Sequence, residues 1–248
     1  MSRECHIFAG LDLGQSRDYS ALAIVEQPLW VPEDAAYRVF LDRRGWVPGT
    51  AMDAIQYQEL QRHWHERPGR PPLSLPHLER FPLGTPYAEI VRLVKARLMT
   101  PPVSNVERQL VVDATGVGAP VVEMFRDAGL APLAATITAG NAVNYAPAFD
   151  AVSVPKRDLV STVAVLLEQR RLKIAEALPE APTLVRELQE FKRRVTPAGH
   201  EQMASWRESV HDDLVLATAL ACWWREWNFS RWDEVVARSN GYRDAGVA

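Results

Sequence analysis

Apolar residues recur along this chain with two different spacings, and the spacing predicts which segments form strands and which form helices. Two short apolar runs near the start, residues 7–13 and 19–26, are separated by only a few polar residues, which predicts a β-hairpin. Residues 36–42 then alternate between apolar and polar side chains before Gly45 and Gly49 interrupt them, as in a third strand. The chain is therefore expected to open with three consecutive strands.

The rest of the chain alternates between helical and extended patterns. Helices, with an apolar residue at every third or fourth position, are predicted at residues 50–66, 86–99, 120–129, 155–170, 183–194 and 209–227. Strands are predicted at residues 108–113 and 133–138, with shorter extended pieces at 78–83 and 172–175. Residues 140–154 are interpreted as a loop near the sheet edge and residues 195–206 as a hairpin.

This order of elements predicts an α/β fold. Three strands followed by strands that alternate with helices suit a mixed β-sheet, with an antiparallel meander at one side and parallel strands joined by flanking helices at the other. The ribonuclease H fold has this order. No internal repeat or convincing boundary interrupts the pattern, so we expect one ribonuclease H-like domain over residues 1–248, in which 228–248 form a C-terminal tail.

Composition indicates which kinds of partner and which cell compartment suit this domain. A hydrophobic content of 47% is enough for a packed core, and a formal net charge of −3 argues against binding nucleic acid through bulk positive charge. Two cysteines, Cys5 and Cys222, lie far apart, which fits a reducing cytosol better than a disulfide scaffold. The longest apolar run, residues 214–224, is too short to cross a bilayer, so no membrane segment is expected.

Carboxylates stand at the ends of three of the predicted buried elements. Asp12 lies in an apolar run that ends at Gly14, and Asp113 follows the apolar run Leu110-Val111-Val112 and precedes a glycine turn. Burying a lone charge costs several kcal/mol unless a cation or hydrogen bonds neutralise it. Asp212 and Asp213 begin the final helix. The alternative is that these aspartates only cap turns or the helix start through backbone hydrogen bonds.

The predicted topology would bring these acids together. In ribonuclease H strand order, the strands that carry Asp12 and Asp113 are parallel neighbours, so their ends lie roughly 5 Å apart. A final helix packed across the sheet can add Asp212 or Asp213, which gives three or four oxygen ligands for hard divalent ions. Two such ions can polarise a phosphodiester and activate water without a protein nucleophile. We therefore predict a two-metal site for phosphodiester hydrolysis.

Three motifs also carry a resemblance to a known family. Gly10-Leu-Asp12-Leu-Gly14, then Val112-Asp113-Ala-Thr-Gly116, then His211-Asp212-Asp213-Leu-Val resemble the nuclease domain of the large terminase subunit of tailed bacteriophages. This domain belongs to the ribonuclease H-like and RuvC-like nucleases, and the resemblance spans nearly the whole chain.

The resemblance implies an endonuclease that cuts double-stranded DNA during genome packaging, with Asp12, Asp113, Asp212 and Asp213 as ligands of two Mg²⁺ or Mn²⁺ ions. It also implies a packaging ATPase domain or subunit, a small terminase subunit and a portal as partners, in the cytoplasm of the bacterial host. One departure is that the chain has no G-x-x-x-x-G-K-[ST] motif, so it is either an excised nuclease domain or a nuclease encoded alone.

Two alternatives remain open at this point. The loops that follow Asp12 and Asp113 also resemble the phosphate loops of actin-like and sugar-kinase ATPases, and a catalytically dead assembly protein could use the same fold as a scaffold. Among the basic residues of the C-terminal third, Lys156 is the preferred phosphate contact, although interleaved glutamates also suit a solvated helix face. The sequence does not decide the metal, the cleavage preference, the oligomeric state or which of Asp212 and Asp213 is the principal ligand.

Overall fold

The computed structural model of the chain describes residues 5–14, 18–28, 72–101, 103–116, 118–195 and 212–244. Within these ranges, eight strands form one sheet: β1 Cys5–Asp12, β2 Ala21–Pro28, β3 Leu73–Arg80, β4 Arg108–Asp113, β5 Pro132–Thr138, β6 Asn144–Ala146, β7 Ala151–Pro155 and β8 Leu172–Ile174. Their order across the sheet is β6-β7-β5-β4-β1-β2-β3-β8. The helices are α1 Tyr87–Leu98, α2 Gly118–Asp127, α3 Lys156–Glu168, α4 Ala181–Val195 and α5 Asp213–Asp244, with short 3-10 turns at Val103–Asn105 and Pro147–Phe149.

The sheet is mixed, and its strand directions decide which residues meet at one edge. β1, β2 and β3 form an antiparallel meander. β4 runs parallel to β1, with Leu11 opposite Val112, and β5 and β7 continue the parallel part. The carboxyl ends of β1, β3 and β4 therefore lie at the same edge. This topology confirms the predicted α/β fold with a meander and parallel strands.

Helices cover both faces of the sheet, because the strands alternate their side chains between two hydrophobic cores. On β1, Ile7, Ala9 and Leu11 point to the core formed with α1 and α2. Phe8 points to the other core, which α3, α4 and α5 complete. The same alternation directs Asp12 toward the α5 face. None of the described helices is long and apolar enough to cross a membrane.

The α5 helix lies unusually close to the sheet at Gly10. A Cβ atom added to Gly10 would lie 2.0 Å from the carbonyl oxygen of Ala217 and 2.8 Å from the amide nitrogen of Ala221. The residues of α5 at this contact, Ala217 and Ala221, are buried and have small side chains, so the helix backbone can approach the strand. This contact between a strand backbone and a helix backbone places the start of α5 over the ends of β1 and β4.

The structure corrects several sequence predictions. The third strand of the meander is β3. The extended piece predicted at residues 78–83 overlaps only the last residues of this strand. The predicted loop at residues 140–154 is wrong, since it contains β6 and β7; Val152 and Val154 are buried and β7 pairs with β5. The last helix continues past Trp227 to Asp244, because no proline or glycine occurs between residues 228 and 240 to end it.

Other predictions fall where the structure gives no description. The strand at residues 36–42, the helix at 50–66 and residues 196–206 of the predicted hairpin all lie outside the described residues. Residue 195, where that hairpin was predicted to start, is instead the last residue of α4. The remaining helices agree with prediction to within a few residues at each end.

Candidate active site

Asp12 and Asp113 form a buried acid pair at the carboxyl edge of the sheet. Each is the last residue of its strand, the strands are parallel neighbours, and both side chains face α5. Asp12 is 9% exposed and Asp113 is 7% exposed. Their carboxyl groups are close enough to share a hydrogen bond. The structure therefore brings together the two acids that the strand order was expected to pair.

Burial makes this pair difficult to ionise. It raises the pKa of Asp12 well above its ordinary value, and the charges of Asp113, Asp212 and Asp213 raise that pKa further. Burial also raises the pKa of Asp113, although the backbone N–H of Thr115, which donates to Asp113 Oδ1 at 2.8 Å, opposes the shift. Asp113 thus caps its turn, as the structural alternative proposed, and also contacts Asp12.

Asp212 adds a third carboxylate at the start of α5. Its carbonyl oxygen accepts the first hydrogen bond of the helix, from the N–H of Leu216 at 2.9 Å. Its Oδ2 lies 2.8 Å from Nζ of Lys156, the first residue of α3, and the two side chains are 30% and 20% exposed. The lysine that the sequence suggested as a phosphate contact therefore lies against the acids themselves.

Asp213 lies in a different environment from its neighbour. Its Oδ2 accepts a hydrogen bond from Arg80 Nε at 2.7 Å, and Arg80 also forms an ion pair with Glu187. Glu187 accepts a hydrogen bond from the backbone N–H of Val215 at 3.3 Å, and burial raises the pKa of Glu187 to about 7. The Arg80 guanidinium lies 4.8 Å from the centre of the Tyr19 ring. This group ties β3 and α4 to the first turn of α5.

Acid exceeds base at this edge of the sheet. Among the described residues, the carboxyl groups that gather here are those of Asp12, Asp113, Asp212, Asp213 and Glu187. Arg80 and Lys156 are the basic groups in contact with them. A buried surplus of carboxylates destabilises a folded protein unless a cation or protons offset it. The arrangement is therefore suited to binding cations.

Comparison with known proteins places this chain in a family. A family model described as the terminase RNaseH-like domain matches residues 89–223, which is more than half of the chain. The chain belongs to this family. The match confirms the resemblance inferred from the motifs, and it includes Asp113, Asp212 and Asp213 but begins after Asp12.

Two solved structures resemble this terminase RNaseH-like chain. One is the large terminase nuclease from thermophilic phage G20c, which is 19% identical in sequence. The match covers 88% of this chain and 81% of the phage chain, with a TM-score of 0.47. The other is the human cytomegalovirus terminase nuclease domain, soaked with Mn and bound to an inhibitor, which is 10% identical in sequence. The match covers 89% of this chain and 82% of the viral chain, also with a TM-score of 0.47. No curated protein sequence matches the chain.

The donor set fits a hard divalent cation in its chemistry. Among the described residues, no group of three or more Asp, Glu, His or Cys side chains is arranged closely enough to hold a metal ion. Asp212 and Asp213 are each in contact with a basic side chain. The buried carboxyl oxygens of Asp12 and Asp113, with Asp212 beside them, are nevertheless the ligand type that Mg²⁺ and Mn²⁺ prefer. The Lys156 ammonium group is itself a cation, and it occupies the position next to Asp212.

Two members of the site, Arg80 and Glu187, were not predicted from the sequence. Glu187 stands three residues after the buried Leu184 on an amphipathic helix, so it lies on the apolar face of α4. Arg80 is the last residue of β3 and pairs with Ala21 on β2, and Ala21 pairs in turn with Asp12 on β1. A charged residue on an apolar face is a signal that a partner exists, but it does not say which partner.

Proposed function

We propose that this protein is a metal-dependent endonuclease that cleaves double-stranded DNA during viral genome packaging. Membership of the terminase RNaseH-like family supports a nuclease role. The observation that carries the proposal is the cluster of buried carboxyl groups at the ends of β1, β4 and the start of α5. The same family membership favours the nuclease over the sugar-kinase alternative.

Asp12, Asp113 and the Asp212/Asp213 pair are the residues that would hold Mg²⁺ or Mn²⁺. When bound, a pair of such ions polarises the phosphodiester, activates water for attack and stabilises the leaving oxygen. The protein's own contribution is to keep these carboxylates at one edge of a rigid sheet, so that their geometry is set before substrate arrives. Lys156 would add a positive charge beside them for a DNA phosphate.

The proposed setting follows from the same family. Double-stranded DNA is the substrate, and a packaging ATPase domain or subunit, a small terminase subunit and a portal are the proposed partners. We propose the cytoplasm of the bacterial host, during phage assembly, as the place of action. Packaging motion itself would depend on the ATPase partner, and no translocation activity is assigned to this chain.

A plasmid assay tests the proposal. The protein should nick or cut supercoiled plasmid with Mn²⁺ or Mg²⁺, show little sequence preference, and stop when a chelator is added. Asp127→Asn is a matched control, because Asp127 is an exposed aspartate at the end of α2. This variant should cut like the wild type. Cleavage that continues in excess chelator would contradict the proposal.

A further inference from the structure

Asp212 and Asp213 are adjacent in sequence but face different surroundings. The Asp212 side chain is 30% exposed, and its partner is the flexible ammonium group of Lys156. The Asp213 side chain is 6% exposed, and its partner is the guanidinium of Arg80, which is itself 15% exposed. The two carboxylates therefore differ in how readily an incoming ion can reach them.

The two basic partners also differ in how readily they give way. A lysine ammonium is a point charge on a flexible chain, so it can leave a carboxylate without losing a fixed geometry. Arg80 donates from two nitrogens to two different carboxylates, Asp213 and Glu187, and it stays charged at any ordinary pH. A metal ion on Asp213 would have to share that carboxylate with a buried, permanently charged guanidinium. That arrangement is unfavourable because the two cations repel each other.

Glu187 has a second role at the same place. The first backbone N–H groups of a helix have no acceptor within the helix. In α5 one of these groups, the N–H of Val215, donates to Glu187 Oε2 at 3.3 Å. A side chain from α4 therefore caps α5, and through Arg80 the same side chain is tied to β3. These bonds fix the first turn of α5, and with it the position of Asp212.

We infer that Asp212 is the metal-binding member of the pair, and that Arg80, Glu187 and Asp213 are positioning residues that hold the first turn of α5. The inference rests on the proposed function, since it assigns roles within that metal site. It replaces a four-aspartate ligand set by three ligands, Asp12, Asp113 and Asp212, supported by a separate ion-pair network.

The first experiment separates ligand from positioning residue within the pair. Binding of Mn²⁺ to Asp212→Asn and Asp213→Asn is measured by calorimetry without DNA, beside thermal melts in chelator. Asp212→Asn should abolish Mn²⁺ binding and melt no earlier than the wild type. Asp213→Asn should still bind Mn²⁺ but melt earlier, because Arg80 loses a charged partner. A folded Asp213→Asn that binds no Mn²⁺ would overturn the division of roles.

The second experiment tests positioning through Glu187. At a temperature where the variant is folded, Glu187→Ala should lower kcat by about 10- to 100-fold, as removal of a supporting residue does, with little change in KM. Glu187→Gln keeps an oxygen that can accept from Val215 N–H, so it should restore most of that loss. Arg97→Ala is the matched control, because Arg97 pairs with Glu79, the neighbour of Arg80 on β3, at an exposed position.

The outcomes distinguish this inference from the proposed function. Folded Glu187→Ala that cuts at the wild-type rate would show a purely structural role and overturn the positioning assignment. If Glu187→Ala does not fold, Glu187→Gln and the Asp212/Asp213 comparison still decide the question. Wild-type protein that neither binds Mn²⁺ nor cuts DNA would end the proposed function, and the inference with it.

Discussion

Helix α5 carries two buried ionic clusters, and they differ in what the charges contact. The first, here called the amino-end cluster, consists of Asp12, Asp113, Asp212, Asp213, Glu187, Arg80 and Lys156. The second, the mid-helix cluster, lies about three turns further along. It consists of Arg225, Glu226, Arg171 and Gln27. In the mid-helix cluster every guanidinium has an acceptor: Arg225 donates to Gln27 at 2.6 Å and to Glu226, and Arg171 donates to Glu226 at 2.7 Å.

In the amino-end cluster, by contrast, an acid contacts another acid. The carboxyl groups of Asp12 and Asp113 are neighbours, and the pKa of Asp12 is raised by burial and by the charges of three other aspartates. Paired buried charges are compatible with a stable core when both are hydrogen bonded. Two buried carboxyl groups in contact are not, unless protons or a cation offset their repulsion. Both clusters are buried, so it is the contact between carboxyl groups, and not burial, that singles out the amino-end cluster as the candidate site.

The largest expected effect is on cleavage. Asp12→Asn or Asp113→Asn should reduce plasmid cleavage below detection, because a ligand carboxylate is lost. The metal-free protein should be as stable or more stable, by up to about 1 kcal/mol, since repulsion within the pair is removed. Thermal melts in chelator beside the plasmid assay measure both. Variants that melt early and still cut DNA would end the metal-site hypothesis.

The mid-helix cluster should give the opposite result. Glu226→Ala removes the shared partner of Arg171 and of Arg225, whose side chain is fully buried. The free energy of unfolding should fall by about 3–5 kcal/mol, because an uncompensated charge is left in the interior. Urea denaturation measures this loss. Mn²⁺ binding by the folded fraction should be unchanged, and its disappearance would argue that the two clusters are coupled.

The stability of the amino-end cluster should depend on pH through Asp12. The folded-state pKa of Asp12 is raised, so its contribution to stability is present at acidic pH and is lost as pH rises through that pKa. In chelator, the Tm of Asp12→Asn should therefore rise relative to the Tm of the wild type as pH increases. An advantage of about 1 kcal/mol corresponds to about 2–4 °C in Tm for a protein of this size. A Tm difference that is constant across pH would contradict the raised pKa of Asp12.

The smallest expected effect concerns Lys156. Lys156→Ala should weaken DNA binding a few-fold and reduce the slope of log affinity against log salt by about 1, because one phosphate contact is lost. Lys173→Ala is the control, since Lys173 lies on β8 beside the amino end of β3, away from the acids. Fluorescence anisotropy at several salt concentrations measures the slopes. An unchanged slope in Lys156→Ala would remove this residue from the DNA-binding surface.

Much of the fold could be read from local pattern. The hairpin of β1 and β2, the strand β4 with its terminal Asp113, and helices α1 to α4 are strong periodic segments bounded by turn residues, so neighbouring residues in sequence specify them. Short strands such as β6 and β7 were missed because three to five residues carry too little periodicity, and their pairing with distant strands decides their structure.

Local sequence places Asp12 and Asp113 at the ends of two buried strands, because side-chain alternation and turn residues are local properties. The pairing of β1 with β4, about 100 residues away, was expected from the order of elements, and it is the sheet that brings the two acids together. Only the tertiary structure separated Asp213 from Asp212. Arg80 lies 133 residues from Asp213 and 107 from Glu187, and nothing local links them. Their contact follows from α5 packing closely against Gly10, which places the first turn of the helix over the end of the sheet. Two adjacent aspartates look alike in sequence, and their different environments come from the chain segments that fold around them.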